Sequence, residues 1–189
     1  MVVHIESCME VSSYSYILKQ LHHRIINFIF SMSTFTVTFA GGAQMPTGSN
    51  FLVEFGGKKI LIDCGLVQGE KYSVPVNSEP FSYDTTSIDI LFITHAHLDH
   101  VGRIPHLVRA GFKGVIASTA PTREMAELIM LDSLGILGKE AIQTGVPPLY
   151  EEKDVLESVH LWTKTLNYEE SFIVPTDDGD ATVTFHDAG

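Results

Sequence analysis

The chain has 189 residues, of which 44% are hydrophobic and 19% are charged, which is ordinary globular composition and excludes a disordered chain. Its net charge of −11 argues against a free-standing nucleic-acid binder, because such a protein presents a basic face to phosphates. The 2 cysteines, Cys8 and Cys64, give neither a disulfide framework nor a CxxC zinc ribbon. A reducing, cytoplasmic compartment is therefore expected, with Cys64 as a small buried residue.

The first part of the chain differs from the rest. Residues 1–31 lack turn chemistry and a clear hydrophobic period, whereas the segment from Met32 onward is regular. We therefore expect 1–31 to be a non-native or disordered extension and 32–189 to form the domain, with Met32 as the natural start. No apolar run reaches the roughly 18 residues that span a bilayer, so no membrane segment is expected.

The predicted elements after the extension begin with strands. Residues 34–39 alternate apolar and polar side chains, as in a half-buried strand. Residues 50–55 and 59–62 predict a hairpin, because Gly56 and Gly57 separate them. A long polar connection follows over 66–87, and loops of that length are often functional. The apolar, β-branched run 89–93 predicts a strand buried on both faces.

The second half of the chain alternates helices and strands. We predict a strand at 114–118, a helix from Pro121 to residue 134, a helix opening at Glu151, and a final strand at 181–186. On the first of these helices, one stripe is expected to face the core. It consists of Met125, Leu128, Ile129 and Asp132, broadened by Met130 and Leu131. Mixed helices and strands, with a polar run at a strand end, indicate a layered α/β fold.

That polar run is the most informative stretch of the sequence. Residues 94–100 place three imidazoles and a carboxylate directly after a predicted strand, and these are ligands that zinc and similar divalent ions accept. His95 and His97 point the same way in an extended backbone, because side chains alternate, so they can share one ion. Asp99 and His100 fall at a helix start and project toward a neighbouring position, where a second ion could sit.

The same residues resemble a known family signature. The run from His95 to His100 resembles the HxHxDH motif of the metallo-β-lactamase superfamily, and Asp63 resembles the aspartate that precedes it. The runs 47–54, 102–105, 122–128 with 131–133, and 148–152 resemble the β-CASP branch. That branch contains RNA-processing nucleases, including the J-type ribonucleases and the endonuclease of messenger 3′-end formation. The resemblance covers roughly residues 33–189.

The resemblance implies a fold and a set of site residues. The family fold is a four-layer αββα sandwich, of which this α/β chain would be the amino-terminal half, without the inserted β-CASP domain. His95 and His97 would hold one Zn²⁺, while Asp99 and His100 would hold a second, with Asp99 also orienting the attacking water. Asp63 would orient a ligand histidine and fix its tautomer. Its alternative role is that of a strand-end turn residue.

The resemblance also implies a function and its limits. The full-length protein is expected to hydrolyse RNA phosphodiester bonds through a di-zinc-activated water. The family has a further ligand histidine just after the stretch 186–189, so this chain resembles an amino-terminal fragment; His186 as a stand-in stays open. We expect the 189-residue chain to bind at most one zinc weakly and to be inactive. A small-molecule hydrolase acting on a lactone, thioester or lactam, a non-catalytic scaffold subunit and a homo-oligomer also stay open.

Overall fold

The computed structural model describes residues 2–7, 35–43, 45–69 and 73–187. Nine strands lie in this part of the chain: β1 Val2–Ser7, β2 Thr36–Gly41, β3 Asn50–Phe55, β4 Lys58–Ile62, β5 Ile90–Phe92, β6 Val115–Ser118, β7 Lys164–Thr165, β8 Ser171–Thr176 and β9 Gly179–His186. Its helices are α1 Ser73–Ser78, α2 Leu98–Val101, α3 Ile104–Arg109, α4 Ala120–Thr144 and α5 Glu152–Leu161, with a 3₁₀ turn at Thr85–Ser87.

The larger sheet has six strands in the order β2-β3-β4-β5-β6-β7. β2, β3 and β4 pair antiparallel. The predicted hairpin is confirmed: Gly56 and Gly57 close it with φ angles of 50° and 74°. Left-handed backbone at both turn residues is typical of a tight hairpin and explains why glycine stands at both.

The remaining strands of this sheet, β4 to β7, pair in parallel. β5 is buried throughout, as the apolar run predicts, because helices cover one face of the sheet and a second sheet covers the other. The pairing of Ile62 with Phe92 places the carboxyl ends of β4 and β5 at one edge. Ligand sites of open α/β sheets lie outside such strand ends.

The second sheet has three antiparallel strands in the order β1-β9-β8. Its buried face meets the larger sheet, and Phe92 contacts Phe172 and Phe185 with ring centroids 5.9 Å apart in both pairs. β1 comes from the range 1–31, in which we expected no regular structure; its β-branched Val2, Val3 and Ile5 suit a strand. Residues 8–31 lie outside the described residues, so the boundary at 32 stays a prediction.

The helices form a layer on the other face of the larger sheet. α4 runs well past its predicted end at residue 134 and ends at Thr144. The next residue, Gly145, has a φ of 70°, which is typical of a helix cap. Its buried face includes Met130, whereas Met125 and Leu128 are 52% and 64% exposed. The prediction that this stripe faces the core is therefore wrong for Met125 and Leu128 but confirmed for Met130. This helix carries apolar side chains on all of its faces, so its sequence alone does not show which face is buried.

The layers follow the order helices, six-stranded sheet, three-stranded sheet, which is three of the four layers of the predicted αββα sandwich. The smaller sheet leaves part of β2 uncovered: Phe39 is 64% exposed, and Phe35 just before the strand is 58% exposed. No helix within the described ranges is long and apolar enough to cross a membrane.

Candidate metal centre

The candidate centre lies at the edge where β4 and β5 end. Asp63 follows β4, and its backbone N–H donates to the carbonyl of Phe92 over 2.9 Å, which places it beside the segment that leaves β5. Asp63 has a φ of 60°, a left-handed conformation that aspartate tolerates better than most residues. It is therefore a strand-end turn residue, as one of the two sequence interpretations has it, and its side chain points into the site as well.

Backbone hydrogen bonds join three segments around the centre. Cys64 N–H donates to the carbonyl of His100 over 2.8 Å, and Ser49 N–H donates to the carbonyl of Asp99 over 2.9 Å. A Cβ atom on Gly65 would lie 1.6 Å from the carbonyl oxygen of Asp99, so no side chain fits there. The segment 63–65 is consequently packed directly against α2, the helix that carries Asp99 and His100.

His95 and His97 form a first pair of donor atoms. Nε2 of His95 lies 3.1 Å from Nδ1 of His97, and the ring centroids are 4.7 Å apart. The backbone of this segment is extended up to His97, which precedes the first residue of α2. Alternation of side chains therefore brings the two imidazoles to the same side, as the sequence predicts.

Asp99 and His100 form a second pair next to the first. Nε2 of His100 lies 3.7 Å from Oδ2 of Asp99. The ring of His100 is also close to that of His95, with centroids 3.9 Å apart. The structure therefore brings together all four residues predicted as metal ligands, arranged as two neighbouring pairs.

These pairs suit the ligand geometry of zinc. Nitrogen or oxygen ligands at 2.0–2.2 Å from a tetrahedral ion lie about 3.3–3.6 Å apart. That range falls between the N–N separation of 3.1 Å in the first pair and the N–O separation of 3.7 Å in the second. Among the described residues, no group of three His, Cys, Asp or Glu side chains is arranged to hold an ion together. The donor types and the pairwise spacing fit zinc, and each pair supplies two donors.

Asp63 holds the second pair from behind. Its side chain is 2% exposed, and Oδ2 accepts a hydrogen bond from Nδ1 of His100 over 2.7 Å. Oδ1 accepts from the backbone N–H of Thr94 over 2.8 Å, and Oδ2 accepts from the Ser49 hydroxyl over 3.1 Å. Because Nδ1 of His100 faces Asp63, its Nε2 is left to face Asp99.

Sequence reasoning gave Ser49 and Thr94 no role in the site. Both lie within the motif stretches 47–54 and 94–100, and a short hydroxyl side chain is a suitable donor for an ionised carboxylate, which only accepts hydrogen bonds. The structure adds them, since each donates to Asp63. Asn50 also contributes, because its Nδ2 donates to the backbone carbonyl of Asp63 over 3.2 Å.

Two histidines of the site, His95 and His100, have shifted pKa values. Burial lowers the pKa of His95, and the neighbouring His100 and His97 lower it further. Burial also lowers the pKa of His100, but the hydrogen bond and charge of Asp63 outweigh it, so the net pKa lies above the usual value. A lowered pKa favours the neutral imidazole that binds metals.

Other candidate groups lie apart from this role. Cys64 is fully buried, and burial raises the pKa of its thiol to about 12, which agrees with a small buried residue. Nδ1 of His186 lies 2.8 Å from Oε1 of Glu169 at the end of β9, and its role as a stand-in ligand stays a prediction. His160 is exposed on α5. Cys8 lies outside the described residues.

The chain was compared with known proteins. The sequence profile of the Metallo-beta-lactamase superfamily matches residues 46–182. Ribonuclease TTHA0252 of Thermus thermophilus is 37% identical over 131 residues, covering 69% of this chain and 28% of its own length. Transcription termination factor FttA of Methanosarcina mazei is 36% identical over 155 residues, covering 81% of this chain and 23% of its own length. Among solved structures, a B3 metallo-β-lactamase with an active-site glutamic acid matches with a TM-score of 0.32 and 25% identity, over 42% of this chain and 29% of that one.

The chain spans about a quarter of the length of these two curated relatives. The family profile covers most of the chain and includes β3 to β8, Asp63 and the whole 95–100 motif. The predicted fold class is confirmed, and so is the resemblance to the RNA-processing relatives of the β-CASP branch. The chain therefore belongs to the metallo-β-lactamase superfamily.

Proposed function

We propose that this chain carries metal-binding residues of a zinc-dependent hydrolase that cleaves RNA phosphodiester bonds. The observation that carries the proposal is the pair of donor sets, His95 with His97 and Asp99 with His100, side by side at one sheet edge. RNA as the substrate is supported by relatives that are named a ribonuclease and a transcription termination factor. A cytoplasmic location belongs to the same proposal.

Each residue has a defined task in this proposal. His95 and His97 would hold one zinc ion, and Asp99 and His100 the other. Bound zinc would lower the pKa of a water molecule toward about 7 and neutralise charge that develops on the phosphate. Asp99 would use its carboxylate to orient the attacking water. Asp63 keeps Nδ1 of His100 protonated, so that Nε2 presents its lone pair.

The number of donors limits what the 189-residue chain does alone. A catalytic zinc site has three protein ligands and a structural site has four, whereas each pair here supplies two. We therefore expect this chain to bind at most one zinc weakly and to lack nuclease activity. Calorimetric titration with zinc, followed by metal analysis after gel filtration, measures this; two tightly retained ions would contradict it.

Activity is tested on the longest product of the gene alongside the 189-residue chain. With zinc present, the longer product should cleave single-stranded RNA, and chelator should abolish cleavage. His97→Ala and Asp99→Asn should each lower the rate by about 10²–10⁴-fold, because each removes a ligand or the water-orienting carboxylate. His160→Ala, which changes an exposed histidine of α5, is the matched control and should keep full activity.

A small-molecule hydrolase of the same superfamily is the second candidate. The net charge of −11 favours it, because an acidic surface does not attract a polyanionic strand. A lactone substrate in the same assay separates the two functions: zinc-dependent lactone hydrolysis without RNA cleavage would replace the nuclease proposal. A gene product that binds RNA but hydrolyses neither RNA nor the lactone would instead favour a non-catalytic scaffold subunit.

A further inference from the structure

The hydroxyl group of Thr94 lies between the buried carboxylate and the first histidine pair. Its Oγ1 is 2.9 Å from Oδ1 and 2.8 Å from Oδ2 of Asp63. The same oxygen is 3.1 Å from Nδ1 of His95 and 3.3 Å from Nδ1 of His100, whose proton goes to the nearer Oδ2 of Asp63 at 2.7 Å. Thr94 therefore contacts both Asp63 and His95. In the described part of the chain, no direct hydrogen bond joins Asp63 to His95.

The surroundings of Asp63 fix the direction of the Thr94 hydroxyl proton. The carboxylate also faces the backbone N–H of Thr94, the hydroxyl of Ser49 and Nδ1 of His100. A carboxylate accepts at about four positions and has no proton to give. Thr94 must therefore point its own proton at Asp63, because two oxygens at 2.8–2.9 Å without a proton between them would repel each other.

The direction of this proton determines the tautomer of His95. A hydroxyl has one proton, so Thr94 Oγ1 can only accept a hydrogen bond on the side that faces the imidazole. Nδ1 of His95 must then carry the ring proton and donate it to Thr94. The lone pair of the neutral ring is left on Nε2, which is the atom that lies 3.1 Å from Nδ1 of His97.

We propose that Thr94 is a positioning residue that passes the orienting effect of Asp63 on to His95. One buried carboxylate thus orients an imidazole of each donor pair: His100 directly, and His95 through the hydroxyl of Thr94. The inference rests on the proposed metal function for its purpose, since both Nε2 atoms are donors in that proposal. The tautomer itself is a property of the metal-free chain.

The test reads the tautomer by NMR spectroscopy. The metal-free 189-residue chain, labelled with ¹⁵N histidine, is recorded in long-range ¹H–¹⁵N spectra at pH 8, with the His95 signals assigned by their loss in His95→Gln. Nδ1 of His95 should carry the proton in the parent chain and in Thr94→Ser. In Thr94→Val, which keeps the branched shape without the hydroxyl, the ring should shift toward the Nε2–H form that free imidazole side chains prefer.

Thr85→Val is the matched control. Thr85 is buried, and its hydroxyl donates to the carbonyl of Ala110 over 2.6 Å, which is a contact unrelated to the histidines. This variant loses a buried hydroxyl but should keep the His95 tautomer of the parent chain. A change of tautomer in both valine variants would indicate a general loss of packing and would overturn the proposal.

Zinc titration gives a second readout of the same variants. Thr94→Val should weaken zinc binding by about 10–100-fold, with Thr94→Ser close to the parent chain. The proposed relay from Asp63 through Thr94 to His95 would be overturned if the parent chain carried the proton on Nε2 of His95. It would also be overturned if the tautomer were unchanged in Thr94→Val. The measurement on the parent chain does not depend on the folding of any variant. If the tautomers behave as expected but neither the 189-residue chain nor the longest product of the gene binds zinc, the relay stands and the metal proposal falls.

Discussion

Burial of the Asp63 carboxylate is tolerated because its oxygens meet hydrogen-bond donors. A buried charge is costly unless it is paired and hydrogen-bonded. Here Ser49, Thr94 and His100 donate to an aspartate that is 2% exposed. The geometry of the candidate centre therefore depends on one side chain in a left-handed turn. Its donors include one of the imidazoles, His100, and Thr94, which also contacts His95.

A second buried hydrogen bond lies between α4 and the segment before α5. Tyr150 is 1% exposed, and its hydroxyl lies 2.6 Å from that of Ser133, which itself donates to the carbonyl of Met130. Tyr150 is therefore the donor of the pair. Burial raises the pKa of Tyr150 to about 12, so the phenol stays protonated and the hydrogen bond persists throughout the neutral range.

Tyr150→Phe should lower the free energy of unfolding by about 1 kcal/mol, because it removes one buried hydrogen bond but leaves the Ser133 proton satisfied. Urea unfolding followed by circular dichroism measures the change. Tyr168→Phe is the matched control; this tyrosine is 51% exposed, and its change should be close to zero. Equal losses in both variants would show that the Tyr150 hydrogen bond contributes nothing specific.

At the scale of elements, α4 shows how packing selects one face of an apolar helix. Met130 is fully buried beneath the helix, whereas Leu128, two residues away, is 64% exposed. Met130→Ala should therefore lower the free energy of unfolding by about 2–5 kcal/mol through loss of packing and creation of a cavity. Leu128→Ala should change it by less than about 0.5 kcal/mol. Chemical denaturation of both variants decides between the two faces; a larger loss at Leu128 would contradict this orientation.

Elements fixed by local chemistry could be predicted from the sequence. The Gly56-Gly57 turn and the apolar run of β5 contain their own signals, and both were located correctly. The predicted end of α4 is too early because Gly135 and Gly138 are weak helix formers. The helix continues past them, and Leu137 between them packs in the core. β7 has two residues and no period, and only its pairing with β6 defines it.

At the scale of the molecule, the site gathers residues that are distant in sequence. The alternation of His95 and His97 is a local property, which is why their shared orientation could be predicted. Thr94 and Ser49 contact Asp63 across separations of 31 and 14 residues. Those contacts depend on the parallel pairing of β4 with β5 and on the packing of the 63–65 segment against α2. No short sequence pattern contains that information.

The histidines also give the whole molecule a dependence on pH. His106 of α3 is partly buried, packs against the ring of Phe81 with centroids 5.3 Å apart, and donates from Nδ1 to the carbonyl of Leu149 over 3.2 Å. Burial lowers its pKa, and the positive charges of Arg103 and Arg109 lower it further. The hydrogen bond to the carbonyl of Leu149 raises the pKa, but the net pKa stays below the usual value. The unfolded chain therefore binds a proton at this position more readily than the folded chain does.

The sign of the effect follows from that difference in proton binding. Above the unfolded pKa of about 6.5, His106 is neutral in both states and its full contribution to stability is present. As the pH falls below that value, protonation of the unfolded chain lowers the free energy of unfolding. For a single group, the slope is at most about 1.4 kcal/mol per pH unit.

His106→Asn keeps a donor for Leu149 but cannot titrate. The gap in unfolding free energy between the parent chain and this variant should therefore shift in favour of the variant between pH 7 and pH 5. Urea unfolding across that range measures the gap, with His160→Asn on the exposed side of α5 as the control that should follow the parent chain. A gap that stays constant with pH would show that His106 accepts its proton equally well in the folded chain.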